Sequence, residues 1–165
     1  MTDTEQRINQ WFASHMEHTA QAASTAGPAI EQVAQAFVDA LLQDGKIITC
    51  ANGNANVLAQ YFCTALLSRF DQDRPALPAI NLGADATTYS AICRDNRFND
   101  TFSRQVRAIG KPGDLLFVIV DDGHKANLIQ AIQAGWVASC LSSIRRWAQS
   151  INTTPLQRLP SSCAA

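Results

Sequence analysis

The chain has 165 residues, 47% of them hydrophobic, and its 13 basic and 14 acidic residues leave a formal charge of −1 at pH 7. This length supports one domain with a single substantial core. The near-zero charge excludes a global basic field, so we predict no direct contact with nucleic acid. No apolar run approaches the length of a membrane span, and the amino terminus lacks a basic region followed by an apolar one. We therefore predict a cytoplasmic protein without membrane contact.

The cysteines occur singly and are odd in number, without a C-x-x-C pair: Cys50, Cys63, Cys93, Cys140 and Cys163. This pattern favours a reducing compartment over a disulfide framework or a zinc site. The sequence therefore predicts no structural metal and no cofactor, and most of these thiols are expected to be small core residues.

Two helices are predicted before the first strand. The first covers residues 3–23 and carries apolar side chains at helical spacing: Ile8, Trp11, Phe12 and Met16. Gly27 and Pro28 are predicted to end it, and Pro28 to begin a second helix that runs to about Gln43. Either the core of the chain or a partner subunit must bury Trp11 and Phe12, so we expect a homo-oligomer built on these helices.

Strands then alternate with helices. The predicted strands are residues 46–50, 78–82 and 115–120, and the predicted helices are residues 58–70, 85–94, 100–109 and a segment containing Leu128, Ile129 and Ile132. This order predicts an α/β protein, a three-layer α/β/α sandwich with a parallel sheet that binds ligands at its strand carboxyl ends. A domain over residues 1–135 and a divergent segment over residues 136–165, with a helix at 136–147 and a loose tail, complete the prediction.

The stretch KIITCANGNANVLAQYF, residues 46–62, is the centre of this organisation. It reads as a strand, a tight turn and a helix start, and the unpaired N–H groups of a helix start form a cradle for phosphate. Gly53 allows close approach of the backbone, but positions 54–56 hold no Ser or Thr. An ordinary loop of a parallel sheet is the alternative interpretation.

Four segments together resemble the sugar isomerase (SIS) domain family, within it the branch of phosphoheptose isomerase and the DnaA initiator-associating protein. These segments are ANGNANVLAQYF (51–62), SRFDQDRPALPAINL (68–82), AICRDNRFNDTFSRQVRAIGKPGDLL (91–116) and the loop at 120–125. The resemblance extends from about residue 5 to Gly135. It implies a flavodoxin-like fold with a five-stranded sheet and a tetramer whose leading helices pack between subunits.

The chain departs from the family at the residues that carry chemistry. The family's first loop has a serine where this chain has Ala55, and its Ser/Thr-rich second loop is replaced here by Asp121, Asp122, Gly123 and His124. The family's catalytic glutamate falls on Ala65, and a histidine that binds metal in some members falls on Tyr61. The resemblance thus implies no catalytic residue and a vestigial phosphosugar pocket: Asn52, Gly53, Asn54, Ala55, Gln60, Asp85, Asp121, Asp122, Gly123 and His124.

Several functions remain open on this basis. The first is a non-catalytic interaction protein that binds several DnaA initiator molecules as a tetramer and regulates replication initiation, with weak binding of a sugar phosphate. The second is a sedoheptulose 7-phosphate isomerase or another sugar-phosphate protein. A degenerate sensor, or a gene product altered near Gly135, is the third. A metal cluster of Asp121, Asp122 and His124 is the fourth.

Overall fold

The computed structural model describes residues 3–95, 97–120 and 125–137, with side chains up to Gly135. It divides into two compact units, residues up to Gln35 and residues from Ala36 onward. The predicted helix at 136–147 and the predicted tail lie largely outside the described residues.

One long helix, α1, covers Asp3–Leu42. Its residues up to Gln35 form the first unit, and its last residues are part of the second. The predicted break at Gly27 and Pro28 is wrong, because Pro28 lies inside α1. A helical φ suits proline, and the missing N–H deprives only the Ser24 carbonyl of its helical partner. Ser24 is exposed, so water can satisfy that carbonyl. One helix therefore replaces the two that the sequence predicted.

The sheet of the second unit is parallel, as predicted. Its described strands are β1 (Ile47–Ala51), β2 (Ala79–Asn81) and β3 (Leu115–Ile119), in the order β2-β1-β3. Ile47 of β1 is aligned with Ala79 on one side and Leu115 on the other. The central position of β1 explains its burial along the whole strand. The family resemblance implied five strands, and the described residues contain three.

The helices fall close to their predicted positions: α2 (Gly53–Leu67), α3 (Ala86–Arg94), α4 (Thr101–Ile109) and α5 (Ala126–Val137). A 3-10 turn at Phe98–Asp100 precedes α4. Helix α5 includes Gly135. The predicted division of the chain at that residue stays a prediction.

The sheet has helices on both faces, which confirms the three-layer sandwich. On one face Ile48 and Leu116 pack with Phe102 of α4 and Leu128 of α5. On the other face Ile47 and Leu115 pack against Phe62 of α2 and the carboxyl end of α1. Within this second layer three aromatic rings lie 5.2–5.3 Å apart, those of Phe37, Phe62 and Phe117. Alternate residues of β1 thus serve opposite layers, as the period of a strand requires.

Candidate functional site

A pocket of about 410 Å³ lies where β1 and β2 end and α2 and α3 begin. Its wall consists mostly of small and polar residues: Ala51, Asn52, Gly53, Asn56, Gly83, Ala86, Tyr89 and Ser90. Carboxyl ends of parallel strands are the usual ligand sites of such sheets. The predicted first loop therefore lies at a concave site, with the start of α2 in its wall.

Helix α2 begins without a side-chain cap. Asn52 is its N-cap residue and has an extended backbone, while Gly53 follows with a φ of +51°, in the left-handed region that favours glycine. The Asn52 side chain makes no capping bond. Its carboxamide instead exchanges two hydrogen bonds with the carboxamide of Asn127 on α5. The first N–H groups of α2 thus receive no capping bond from the Asn52 side chain.

A second amide network supports the opposite wall. Asn81, at the end of β2, donates to Thr49 Oγ1 (3.0 Å) and to Asn56 Oδ1 (3.1 Å) and accepts from the N–H of Gly83 (2.9 Å). A Cβ at Gly83 would lie 2.6 Å from the Asn56 amide atoms, so the chain must approach that amide closely. These contacts fix the orientation of Asn56 in the pocket.

Asp85 has a capping role in the structure. Its Oδ1 accepts hydrogen bonds from the N–H groups of Thr87 and Thr88, and its Oδ2 accepts from the Thr88 hydroxyl. These bonds, the one from the Thr88 hydroxyl foremost, lower the pKa of the Asp85 carboxyl. Asp85 lies next to the pocket residue Ala86 but does not itself line the pocket.

The other predicted residues divide into three groups. Asn52 and Gly53 line the pocket, and their role in ligand binding stays a prediction. Asn54 and Gln60 are exposed on α2, and Ala55 is buried with Ala51 and Ala59 against the sheet. The remaining four lie outside the described residues: Asp121, Asp122, Gly123 and His124.

Sequence reasoning missed Asn56, Tyr89 and Ser90 in the wall, and Asn81 and Asn127 behind it. Asn56 had a usable signal, because it lies four residues after Asn52 and so shares a helix face with it. The other positions meet through tertiary packing. No local pattern in the sequence marks them.

The described wall of the pocket offers little acid or base chemistry. Its one titratable side chain is Tyr89, whose pKa is raised by burial and, to a lesser extent, by Cys93. Ala65 and Tyr61 lie on α2 outside the wall, and Tyr61 is exposed. Arg74 donates to the Ala65 and Leu66 carbonyls at the end of α2.

Within residues 3–95, 97–120 and 125–137, no group of three His, Cys, Asp or Glu side chains could hold a metal ion. The Asp121, Asp122 and His124 cluster lies outside these residues and stays a hypothesis. Among the described helices, none is both long and apolar enough to cross a membrane.

A parallel α/β sandwich with a pocket at its strand ends defines a class of ligand-binding α/β domains. The sequence profile of the SIS domain matches residues 10–137. The chain therefore belongs to the SIS domain family, which confirms the resemblance seen in its motifs.

Individual relatives and solved structures that are similar to this chain are phosphoheptose isomerases. The phosphoheptose isomerase of Chromohalobacter salexigens is 40% identical over 132 residues, which are 80% of this chain and 67% of the relative. That of Thiobacillus denitrificans is 40% identical over 81% of this chain and 68% of the relative. The structure of the Francisella tularensis phosphoheptose isomerase matches with a TM-score of 0.78 at 36% identity, over 84% of this chain and 72% of that one. The chain thus spans about two thirds of the length of these curated relatives.

Proposed function

We propose that this protein binds a sugar phosphate in the pocket between α2 and α3 and does not isomerise it. The proposal rests on the composition of the pocket wall. The wall combines the uncapped start of α2 with amide and hydroxyl groups. Within the described residues it contains no carboxylate or imidazole. The phosphoheptose isomerase relatives support the ligand class.

The binding half of the proposal follows from the donors and acceptors present. Backbone N–H groups at a helix start attract an anion through their dipoles. Asn56 and Ser90 offer amide and hydroxyl groups of the kind that pair with sugar hydroxyls, and Tyr89 offers an aromatic face. Binding is expected to be weak, because the described wall contains no cation.

The non-catalytic half follows from the residue at the family's base position. An aldose–ketose isomerisation needs one group to take a proton next to the carbonyl and another to deliver one. Ala65 cannot exchange a proton, and Tyr61 is an exposed phenol on the surface of α2. The other candidate, Tyr89, has a pKa above that of an ordinary phenol and is a poor base at neutral pH.

Calorimetry with sedoheptulose 7-phosphate tests binding, and a coupled assay with and without zinc tests turnover. Ala86→Trp places an indole in the pocket wall and is expected to abolish binding. Thr87→Trp is the matched control, because Thr87 is the next residue of α3, is exposed and does not line the pocket.

Equal binding by the parent and Ala86→Trp would move the ligand elsewhere, and no binding by the parent would remove the function. Turnover above the buffer blank that is lost in Asn52→Ala would show that the protein is an enzyme.

A second proposed role is regulation of replication initiation in the cytoplasm, through binding of the DnaA initiator by a homotetramer. Two large aromatic side chains of α1 favour an interaction role, since Trp11 is 70% exposed and Phe12 is 59% exposed in the single chain. Co-sedimentation of the purified protein with the initiator, and its loss in Trp11→Glu/Phe12→Glu, tests this role. An initiator that sediments separately from the parent protein would rule it out.

A further inference from the structure

Asn52 and Asn127 form a reciprocal amide pair between two ends of helices. Asn52 Nδ2 donates to Asn127 Oδ1 at 3.0 Å, and Asn127 Nδ2 donates to Asn52 Oδ1 at 2.8 Å. Asn127 is the second residue of α5 and is fully buried. Asn52 is the N-cap residue of α2 and lines the pocket. The pair therefore joins the pocket to a residue that does not line it.

This pairing changes what the start of α2 offers to a ligand. Asparagine is among the best N-cap residues, because its side-chain oxygen accepts from the N–H group two or three positions later. In α2 those positions are Asn54 and Ala55. The Asn52 oxygen accepts from Asn127 instead, so the internal acceptor that would compete with an anion for these N–H groups is occupied elsewhere.

We propose that Asn127 is a positioning residue for the pocket, which keeps the Asn52 side chain away from the N–H groups of α2 and so leaves them available to the phosphate group of a ligand. The ligand part of this inference rests on the proposed sugar-phosphate binding. The positioning part concerns the protein alone.

Asn127→Leu is a suitable variant, because leucine has the same branched arrangement of side-chain heavy atoms as asparagine and cannot pair with an amide. The N–H of Leu128 donates both to Asn127 Oδ1 and to the Lys125 carbonyl, so it keeps one acceptor in the variant. The Asn52 carboxamide loses its partner but is only half-buried. The released Asn52 side chain is expected to rotate and cap α2.

Amide hydrogen exchange without ligand measures this rotation. In Asn127→Leu, exchange at Asn54 or Ala55 is expected to slow by roughly fivefold, the effect of one capping bond. In the double variant Asn127→Leu/Asn52→Ala, exchange is expected to return to the parent rate, because alanine cannot cap. Thr101→Val is the control, since it removes a buried hydroxyl that donates to Phe98 and does not line the pocket.

Calorimetry with sedoheptulose 7-phosphate measures the consequence for binding. Asn127→Leu is expected to weaken binding by roughly fivefold, because the new cap competes with the phosphate. The double variant is expected to bind as well as Asn52→Ala alone. A purely structural role of Asn127 predicts the opposite, a double variant weaker than either single one. Inorganic phosphate, titrated in parallel, shows whether the effect belongs to the phosphate group.

The two measurements separate the two proposals. The expected exchange pattern with no binding by the parent would retain the positioning role and overturn the proposed function. Unchanged exchange at Asn54 and Ala55 in Asn127→Leu would overturn the positioning role, whatever the ligand does. If Asn127→Leu does not fold, Asn127→Ala provides the same comparison.

Discussion

The carboxylate of Asp114 binds both the backbone N–H and the side-chain ammonium of Lys46. Asp114 Oδ1 accepts from the Lys46 N–H at 3.0 Å, and Asp114 Oδ2 accepts from the Lys46 ammonium and from the N–H of Lys111. The Asp114 side chain is almost fully buried. Because these residues precede β3 and β1, the contact lies where the two strands begin and supports the register that pairs Ile47 with Leu115.

Asp114→Ala is expected to lower the free energy of unfolding by about 2–4 kcal/mol, because it removes one partner of a part-buried ion pair and the carboxylate that accepts from two backbone N–H groups. Lys46→Met keeps the carboxylate and both backbone bonds, so a loss of about 1 kcal/mol is expected. Urea unfolding followed by circular dichroism measures both. Equal losses would show that the ion pair, rather than the backbone bonds, joins the strands.

Asp121→Asn/Asp122→Asn is expected to tighten binding of a sugar phosphate by roughly tenfold. These carboxylates follow β3 in sequence, and two like charges near a protein surface repel by about 1 kcal/mol or more. Calorimetry at low and high salt measures the gain, which should shrink as salt screens it. Asp71→Asn/Asp73→Asn is the control, because it removes the same charge from an exposed loop outside the pocket wall. An equal gain in this control would reduce the effect to net charge.

The Cys50 thiol is expected to make the fold sensitive to alkali. Burial raises its pKa to about 12, from an ordinary value of 9.0. Below pH 9 the thiol is protonated in both states, and above it only the unfolded chain loses the proton. The contribution of this thiol to the free energy of unfolding is therefore fully present below pH 9. It decreases towards pH 12 by about 1.4 kcal/mol per pH unit.

Cys50→Ala should remove this slope, so the parent is expected to lose about 2–3 kcal/mol more than the variant between pH 9 and 11. Denaturant melts across this range provide the comparison. Parallel pH profiles for the two proteins would contradict it.

Trp11→Glu/Phe12→Glu is expected to dissociate an oligomer built on α1. Trp11 lies against Phe12 edge to face and against His15 in parallel, which forms an exposed aromatic surface on the first unit. Charged residues there would oppose burial against a second copy. Sedimentation velocity at tens of micromolar measures the change, with Gln10→Glu/Ser14→Glu as an equally charged control on the same helix. A parent that sediments as a monomer would refute the prediction.

Local patterns in the sequence determined the elements and their order. The apolar run before Asn52 predicted β1, the run after Asp114 predicted β3, and their alternation with helices predicted a parallel sheet with its site at the strand ends. These features follow from side-chain periodicity and turn chemistry, which act over a few residues. Even so, Pro28 was misjudged, because the helical φ of its own position tolerates proline where the lost bond faces water.

Only the tertiary structure decided which polar groups meet. Asn52 and Asn127 are 75 residues apart in the chain and pair because α2 and α5 begin at the same edge of the sheet. Asn81 similarly orients Asn56 across 25 residues. The sequence around Gly53 predicted a site at the start of α2. Whether that helix start is capped depends on Asn127, whose position is fixed by packing. Short-range sequence signals determined the scaffold, and long-range contacts determined the chemistry of its pocket.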